Sequence, residues 1–202
     1  VQYYELDRLA QYFQLFGFGR ITGIDIGREY KGTIPNTAFM NKRYGRFGWS
    51  KGSLLNFCIG QGEILVTPIQ VFNYVNLLAT KGNSNSPHLV SSSKKDSENE
   101  IPLSSQIWDR IIFDMGQVVS HAKGTGKNAD PAIQGAKIYG KTGTAENPHG
   151  EDHAWFIGWV EYEKKKFSIV VLLENSGSGG AVAAPLAKNI FGKIVLGINN
   201  SK

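Results

Sequence analysis

The stretch from Ala154 to Glu174 sets the strongest limit on what this chain can fold into. Two apolar segments, Ala154–Tyr162 and Phe167–Glu174, are separated only by Glu163-Lys164-Lys165-Lys166, and together they read as an antiparallel hairpin. A third candidate strand, Ala136–Gly140, precedes them. Such a sheet needs helical cover, and the rest of the sequence supplies it. Leu6, Leu9, Ala10, Phe13 and Phe16 recur at three- and four-residue steps and predict a helix over about Tyr4–Phe16, stopped by Gly17 and Gly19. Thr67-Pro68 starts a second helix, with Thr as N-cap and Pro at the first helical position, which runs to a stop at Gly82. A third begins near Ser104 or Ser105 and ends before Gly124-Thr125-Gly126; a fourth spans roughly Val182–Val195, with Pro185 in its first turn. Helices, then strands, then a helix predict an α+β fold whose mostly antiparallel sheet is covered by helices.

The stretch from Gly17 through Gly52 holds eight glycines, both ends included, and Pro35 with few apolar residues, so it reads as a long loop held by contacts with the rest of the molecule. Residues 91–100 are polar and aperiodic and read as an exposed loop or insertion. No internal repeat is present. The 202 residues, 41% of them hydrophobic, suffice for one domain or a large part of one. The longest apolar runs, such as Ile169–Leu173, are too short to cross a bilayer. A single cysteine, Cys58, excludes an internal disulfide and reads as a small buried side chain. The net charge is +5, and lysines sit in short clusters that mix signs, Lys94-Lys95 with Asp96, Glu98 and Glu100, and Lys164–Lys166 with Glu161 and Glu163, with no basic face repeating at helical spacing. That distribution argues against a nucleic-acid partner. The chain opens on Val1-Gln2-Tyr3, without an initiator Met or a signal-type core, and reads as a fragment.

The densest chemical signal is Tyr139-Gly140-Lys141-Thr142-Gly143-Thr144-Ala145-Glu146. Lys141 offers positive charge, the hydroxyls of Thr142 and Thr144 fall on the same side of a strand, and Gly143 leaves room for a ligand backbone. That combination suits a carboxylate or an oxyanion. Gly135 to Thr142 formally satisfies the phosphate-loop pattern G-x-x-x-x-G-K-[ST]. A phosphate loop needs a strand before it and a helix at its Lys-Thr; here Asp130-Pro131 precedes, and Gly143, Asn147 and Pro148 follow. His149, Glu151, Asp152 and His153 fit no common zinc spacing. Trp155 and Trp159 share one strand face and read as packing residues.

The run from Lys141 to Trp159, Lys-Thr-Gly-Thr-Ala-Glu and then His153-Ala154-Trp155-Phe156-Ile157-Gly158-Trp159, closely resembles the third motif and following strand of the penicillin-binding transpeptidases. Gly60-Gln61-Gly62 with Leu65-Val66-Thr67-Pro68-Ile69-Gln70 resembles the glycine-rich turn and helix start of the class B enzymes. Phe16-Gly17-Phe18-Gly19 with Thr22-Gly23-Ile24-Asp25 resembles the segment after their second motif. Order and spacing match the penicillin-binding protein 2 branch over nearly the whole chain.

The resemblance implies the C-terminal portion, residues 1–202, of a single transpeptidase domain with a beta-lactamase-like fold, interrupted by the insertion at about 91–100. It implies a serine acyltransferase that cuts the terminal D-Ala-D-Ala bond of a peptidoglycan stem peptide, passes the acyl group to an amine, and is acylated by beta-lactams. Lys141 and Thr144 would be catalytic, Lys141 steadying the proton relay and the Thr144 N–H forming half of an oxyanion hole worth about 3 kcal/mol. Thr142, Gly143, Thr144 and Gln61 would bind substrate, with no cofactor or metal. The parent would lie on the periplasmic face of the inner membrane, anchored by an N-terminal segment and paired with a membrane-embedded glycan polymerase. In this family the nucleophile motif S-x-x-K lies upstream of the residues present here. The formal matches at Ser91 to Lys95 and Ser97-Glu98-Asn99 fall in the polar run, and Ser120-His121-Ala122-Lys123 falls at a helix C-terminus, where no free N–H groups face an oxyanion. The chain alone is therefore expected to be inactive. A non-catalytic scaffold of the same fold is the competing expectation, with a nucleotide-binding protein behind it.

Overall fold

The structure is a computed structural model and describes residues 2–90 and 99–200. These divide into two compact units: the first holds the described residues up to Tyr74 with 84–90 and 99–101, the second 75–83 and those from Pro102 onward. The formal catalytic matches at Ser91 to Lys95, Ser97 and Glu98 of the match at Ser97-Glu98-Asn99, and all of the predicted insertion but Asn99 and Glu100, lie outside the described residues.

The first unit opens with α1 (Gln2–Leu15), close to the predicted span. The long loop predicted over 17–52 is interrupted: α2 (Thr37–Tyr44) lies within it and α3 (Lys51–Cys58) begins at its end. Capping outweighs composition here. Asn36 accepts the N–H of Phe39 at 2.8 Å, and Ser50 accepts that of Gly52 at 3.2 Å, which supplies the helix starts that glycine density obscured. Leu6, Met40 and Phe57, all 1% exposed, form the core of the three helices, with Leu9, Phe39, Trp49 and Leu54 against it. Cys58, expected to be buried, is exposed at the end of α3. The amphipathic phase explains it: Leu54 and Phe57 turn inward, leaving Cys58 outward.

α4 (Pro68–Ala79) starts where Thr67-Pro68 predicted. Gln70, 1% exposed, accepts the Thr67 N–H at 2.9 Å, while its own N–H donates to the Thr67 hydroxyl at 3.3 Å, a reciprocal cap. Its carboxamide then donates to the carbonyls of Arg20 at 2.6 Å and Lys31 at 2.9 Å. One buried side chain thus pins both ends of the irregular segment between them. Within that segment Glu29 accepts the N–H groups of Thr22 and Gly23, and Asp25 accepts those of Leu89 and Val90 at 2.6 and 2.8 Å. The loop is held, as expected, but by carboxylates and a carboxamide in place of apolar burial.

After the two-residue strands β1 (Asn83–Ser84) and β2 (Asn99–Glu100), the second unit contains α5 (Ser105–Ser120), β3 (Lys137–Ala145), β4 (His153–Tyr162), β5 (Lys165–Leu173), a π-helical turn at Gly179–Ala183 and α6 (Ala184–Asn200). The three strands form one antiparallel sheet in the order β3-β4-β5, as the hairpin predicted, so the α+β expectation holds. β3 is longer than the predicted Ala136–Gly140, running five residues further because β4 pairs with it through Ala145↔His153. Gly179–Asn200 is apolar and long enough to cross a bilayer by composition alone. Its Ala184, Ala187, Phe191 and Val195 are instead fully buried in a core with Phe156, Val160 and Val171 of the sheet.

Two outcomes follow. Gln70→Ala strands two carbonyls and should lower unfolding stability by about 3 kcal/mol in denaturant titration, with faster amide exchange around Arg20 and Lys31. The N–H groups of Leu89 and Val90 hold the Asp25 carboxyl below the usual aspartate range. A depressed carboxyl stabilises its contact above its unfolded-state value and loses it as pH falls through the folded-state value. Protection of the Leu89 and Val90 amides, corrected for intrinsic exchange, should therefore drop in acid, and Asp25→Asn should abolish that pH dependence.

Candidate active site

The pleat of β3 sorts the residues singled out in the sequence. Ile138 belongs to the core beside α6, and an added Cβ on Gly140 would meet the Phe156 ring, so the even-numbered residues face that side. Thr142 and Thr144 therefore share a face, as predicted. Lys141 and Gly143 alternate to the other face with Tyr139, which stacks on Trp159 at 4.9 Å and 12°. The lysine side chain returns to its own strand: Nζ donates to the Thr142 carbonyl at 2.6 Å. Ammonium and hydroxyls thus gather on neighbouring residues, though they leave the strand on opposite faces.

β3 is an outer strand of its sheet, and among the described residues no further strand pairs with its other edge. Lys141 and Thr144 are exposed and Thr142 and Gly143 half-buried. The π-helical turn closes on this segment from the side of the threonines. Gly179 donates its N–H to the Thr144 hydroxyl at 3.3 Å, and a Cβ on Gly179 would lie 2.2 Å from the Trp155 carbonyl and 2.3 Å from that of Gly143. Only glycine fits there. Gly143 is constrained as well, since a Cβ on it would approach the Trp155 Cβ at 3.2 Å.

One contributor escaped the sequence reading. Thr125, in the turn after α5, places its hydroxyl 2.8 Å from that of Thr142, and either can donate. With Thr125 as donor, the Thr142 proton is available to an acceptor at the strand edge. The turn was visible only as a helix stop; its spatial return to β3 is a tertiary fact that periodicity does not carry. Gln61 lies in the first unit, in a turn closing α3 where Gly60 and Gly62 have φ of +78° and +74°, and its N–H donates to the Asn56 carbonyl at 2.9 Å.

The remaining candidates have structural roles. Asp152 accepts the Asn147 N–H within the β3–β4 connection, and His153 accepts that of Asn175 at 3.0 Å, which ties the start of β4 to the residues after β5. Trp159 is 1% exposed and packs as predicted. Burial, with the nearby charge of Glu161 second, pushes the Tyr139 phenol upward, so it stays neutral. A strand, not a helix, carries Lys141-Thr142, and this removes the phosphate-loop reading. Ser120 is the last residue of α5, the helix end that disfavours an oxyanion.

Comparison with known proteins gives concordant matches. The profile of the penicillin binding protein transpeptidase domain matches residues 2–192. The peptidoglycan D,D-transpeptidase MrdA of Haemophilus influenzae is 34% identical over 92% of this chain and 32% of its own length. MrdA of Escherichia coli K12 is 30% identical over 97% of this chain and 34% of its own length. The chain thus spans about a third of these curated relatives. Among solved structures, Pseudomonas aeruginosa PBP2 in complex with WCK 5153 superposes with a TM-score of 0.81 at 33% identity, covering 92% of this chain and 42% of that one. Helicobacter pylori PBP2, solved as a complex with MreC, gives 0.77 at 29% identity over 95% of this chain and 37% of that one.

Gly179→Ala should push the π-helical turn off β3 and lower stability by about 2 kcal/mol in thermal unfolding, with loss of protection in the Lys141–Ala145 amides.

Proposed function

Because the chain belongs to the penicillin binding protein transpeptidase domain family, we propose that it is the C-terminal portion of a class B transpeptidase domain whose parent cross-links peptidoglycan stem peptides through a serine acyl-enzyme. The observation that carries this reading is the open β3 edge with an ammonium, two aligned hydroxyls and a glycine within four residues. A peptide ending in D-Ala-D-Ala would lie along that edge as an added strand, its terminal carboxylate taken by the Thr142 and Thr144 hydroxyls and drawn in by Lys141. Gly143 would let the two backbones approach, and Gln61 is proposed as a further substrate-binding residue.

In the proposed reaction a serine hydroxyl attacks the penultimate carbonyl and the Thr144 N–H stabilises the oxyanion. Terminal D-Ala then leaves with a proton, and an amine of a neighbouring stem displaces the serine. Lys141 keeps the relay poised by its charge. The Thr125 hydroxyl orients that of Thr142. We assign the nucleophile to a part of the parent outside these 202 residues, and accordingly propose that the chain alone is inactive. Beta-lactams, whose carboxylate and strained carbonyl mimic the peptide terminus, would acylate the same serine. The parent is proposed to work at the extracytoplasmic face of the inner membrane beside a membrane-embedded glycan polymerase.

The test is fluorescent penicillin labelling. The longer protein containing this chain should be labelled, the 202-residue chain should not, and Lys141→Ala in the longer protein should slow acylation by about 100-fold. An adduct on the isolated chain would place the nucleophile within it; no labelling of the longer protein would favour a scaffold.

A further inference from the structure

An excursion of the first unit, from Lys42 in the last turn of α2 to Lys51 at the start of α3, takes no part in the proposed reaction. No Asp or Glu occurs between Glu29 and Glu63, while Lys42, Arg43, Arg46 and Lys51 all fall in this excursion and all are exposed. Aromatic rings are interleaved with the charges. Phe47 is 90% exposed and Tyr44 42%, with the Arg46 guanidinium 5.9 Å from the Phe47 centroid and that of Arg43 5.5 Å from the Tyr44 centroid. The Tyr44 hydroxyl donates to the Glu63 carboxylate and accepts from Arg43 at 3.0 Å.

The excursion is built, not slack. Gly45, at φ +79°, donates to the Asn41 carbonyl at 3.0 Å, and Gly48 donates back to Gly45 at 3.1 Å. A Cβ on Gly48 would fall 1.8 Å from the Tyr44 carbonyl, so the tip closes only with glycine there. Trp49 anchors the far side, its indole N–H on Asn41 at 2.9 Å and its ring against the helical core. The tip therefore presents ring edges and guanidinium groups at little ordering cost on binding.

We propose that this surface docks an uncross-linked peptidoglycan strand, an anionic polymer of amino sugars bearing acidic peptides, and so retains the polymer on the parent protein. The proposal rests on the reading of the parent as a peptidoglycan transpeptidase. Pyranose C–H faces stack on exposed aromatic rings, and the stem carboxylates pair with guanidinium groups in the bidentate manner of arginine. A lipid surface fits less well. Within the excursion only Phe47 and Tyr44 are exposed large apolar residues, against four cations, whereas interfacial binding needs a continuous apolar face.

The experiment uses the longer protein containing this chain, in wild-type form, as the double variant Arg46→Ala with Phe47→Ala, and as Lys42→Glu. Each is measured for retention on uncross-linked strands released from sacculi by an endopeptidase, for binding to phosphatidylglycerol vesicles, and for acylation by fluorescent penicillin. The expected result is salt-sensitive strand binding by the wild type, weakened roughly tenfold in the double variant and also in Lys42→Glu, with acylation rates unchanged. Equal strand binding by all three proteins, with acylation intact, overturns the docking surface alone. Wild-type binding to vesicles but not to strands overturns it in favour of a membrane contact. Absence of acylation in the wild type overturns the underlying reading.

Discussion

The antiparallel register of β3 on β4 decides whether Lys141, Thr142 and Thr144 can act together. A slip of one residue would exchange the two faces of β3, turning both hydroxyls away from the π-helical turn and from Thr125. The register is fixed by residues other than the lysine and the two threonines. Gly140 faces Gly158, where a Cβ on Gly158 would lie 2.1 Å from the Tyr139 carbonyl, and the Phe156 ring fills the space that a Cβ on Gly140 would need. The Tyr139–Trp159 stack adds a cross-strand pair on the other face. Packing thus positions polar groups that could not order themselves at an exposed edge, where a lone hydroxyl bond contributes only about 1 kcal/mol.

The first unit solves a different problem. Its irregular segment has too few apolar residues to be held by burial, yet its backbone groups must find partners. Buried Gln70 and the carboxylates of Glu29 and Asp25 supply them, each taking or giving two bonds to backbone groups in or beside that segment. The Thr37 N–H is likewise accepted by Asp7 of α1 at 2.8 Å, which ties the start of α2 to the preceding helix. A segment fixed in this way has a defined shape without a core of its own.

What the sequence made legible follows the same division. Periodicity and caps located α1, α4, α5 and α6, and the Glu-Lys-Lys-Lys spacer located the hairpin, because in each case the signal is local. α2 and α3 were missed since each is eight residues long and set among glycines, and their starts rest on single cap residues, Asn36 and Ser50. The chemical segment stood out by residue type and by its resemblance to a known motif. Its neighbours Thr125 and Gly179 did not, because their roles depend on chain returns of 17 and 35 residues. The face taken by Lys141 followed from strand alternation, but the return of its amine to the Thr142 carbonyl is a rotamer outcome that no spacing encodes.

An open strand edge normally invites unwanted pairing with another chain, and proteins blunt such edges with charge, short length or a covering turn. β3 carries all but the second of these: Lys141 on one face, and the π-helical turn against the other at Thr144. These devices leave the edge backbone itself uncovered by any further strand among the described residues. A second hydrophobic strand is discouraged, since it would have to bury an ammonium and polar hydroxyls without partners. For the proposed substrate, a short peptide that ends in a carboxylate, that cost would be smaller, because its terminus would accept from the ammonium and the hydroxyls. On that proposal the same side chains would repel the generic ligand of a sheet edge and accept a specific one, so that a strand edge would stay open and still be selective.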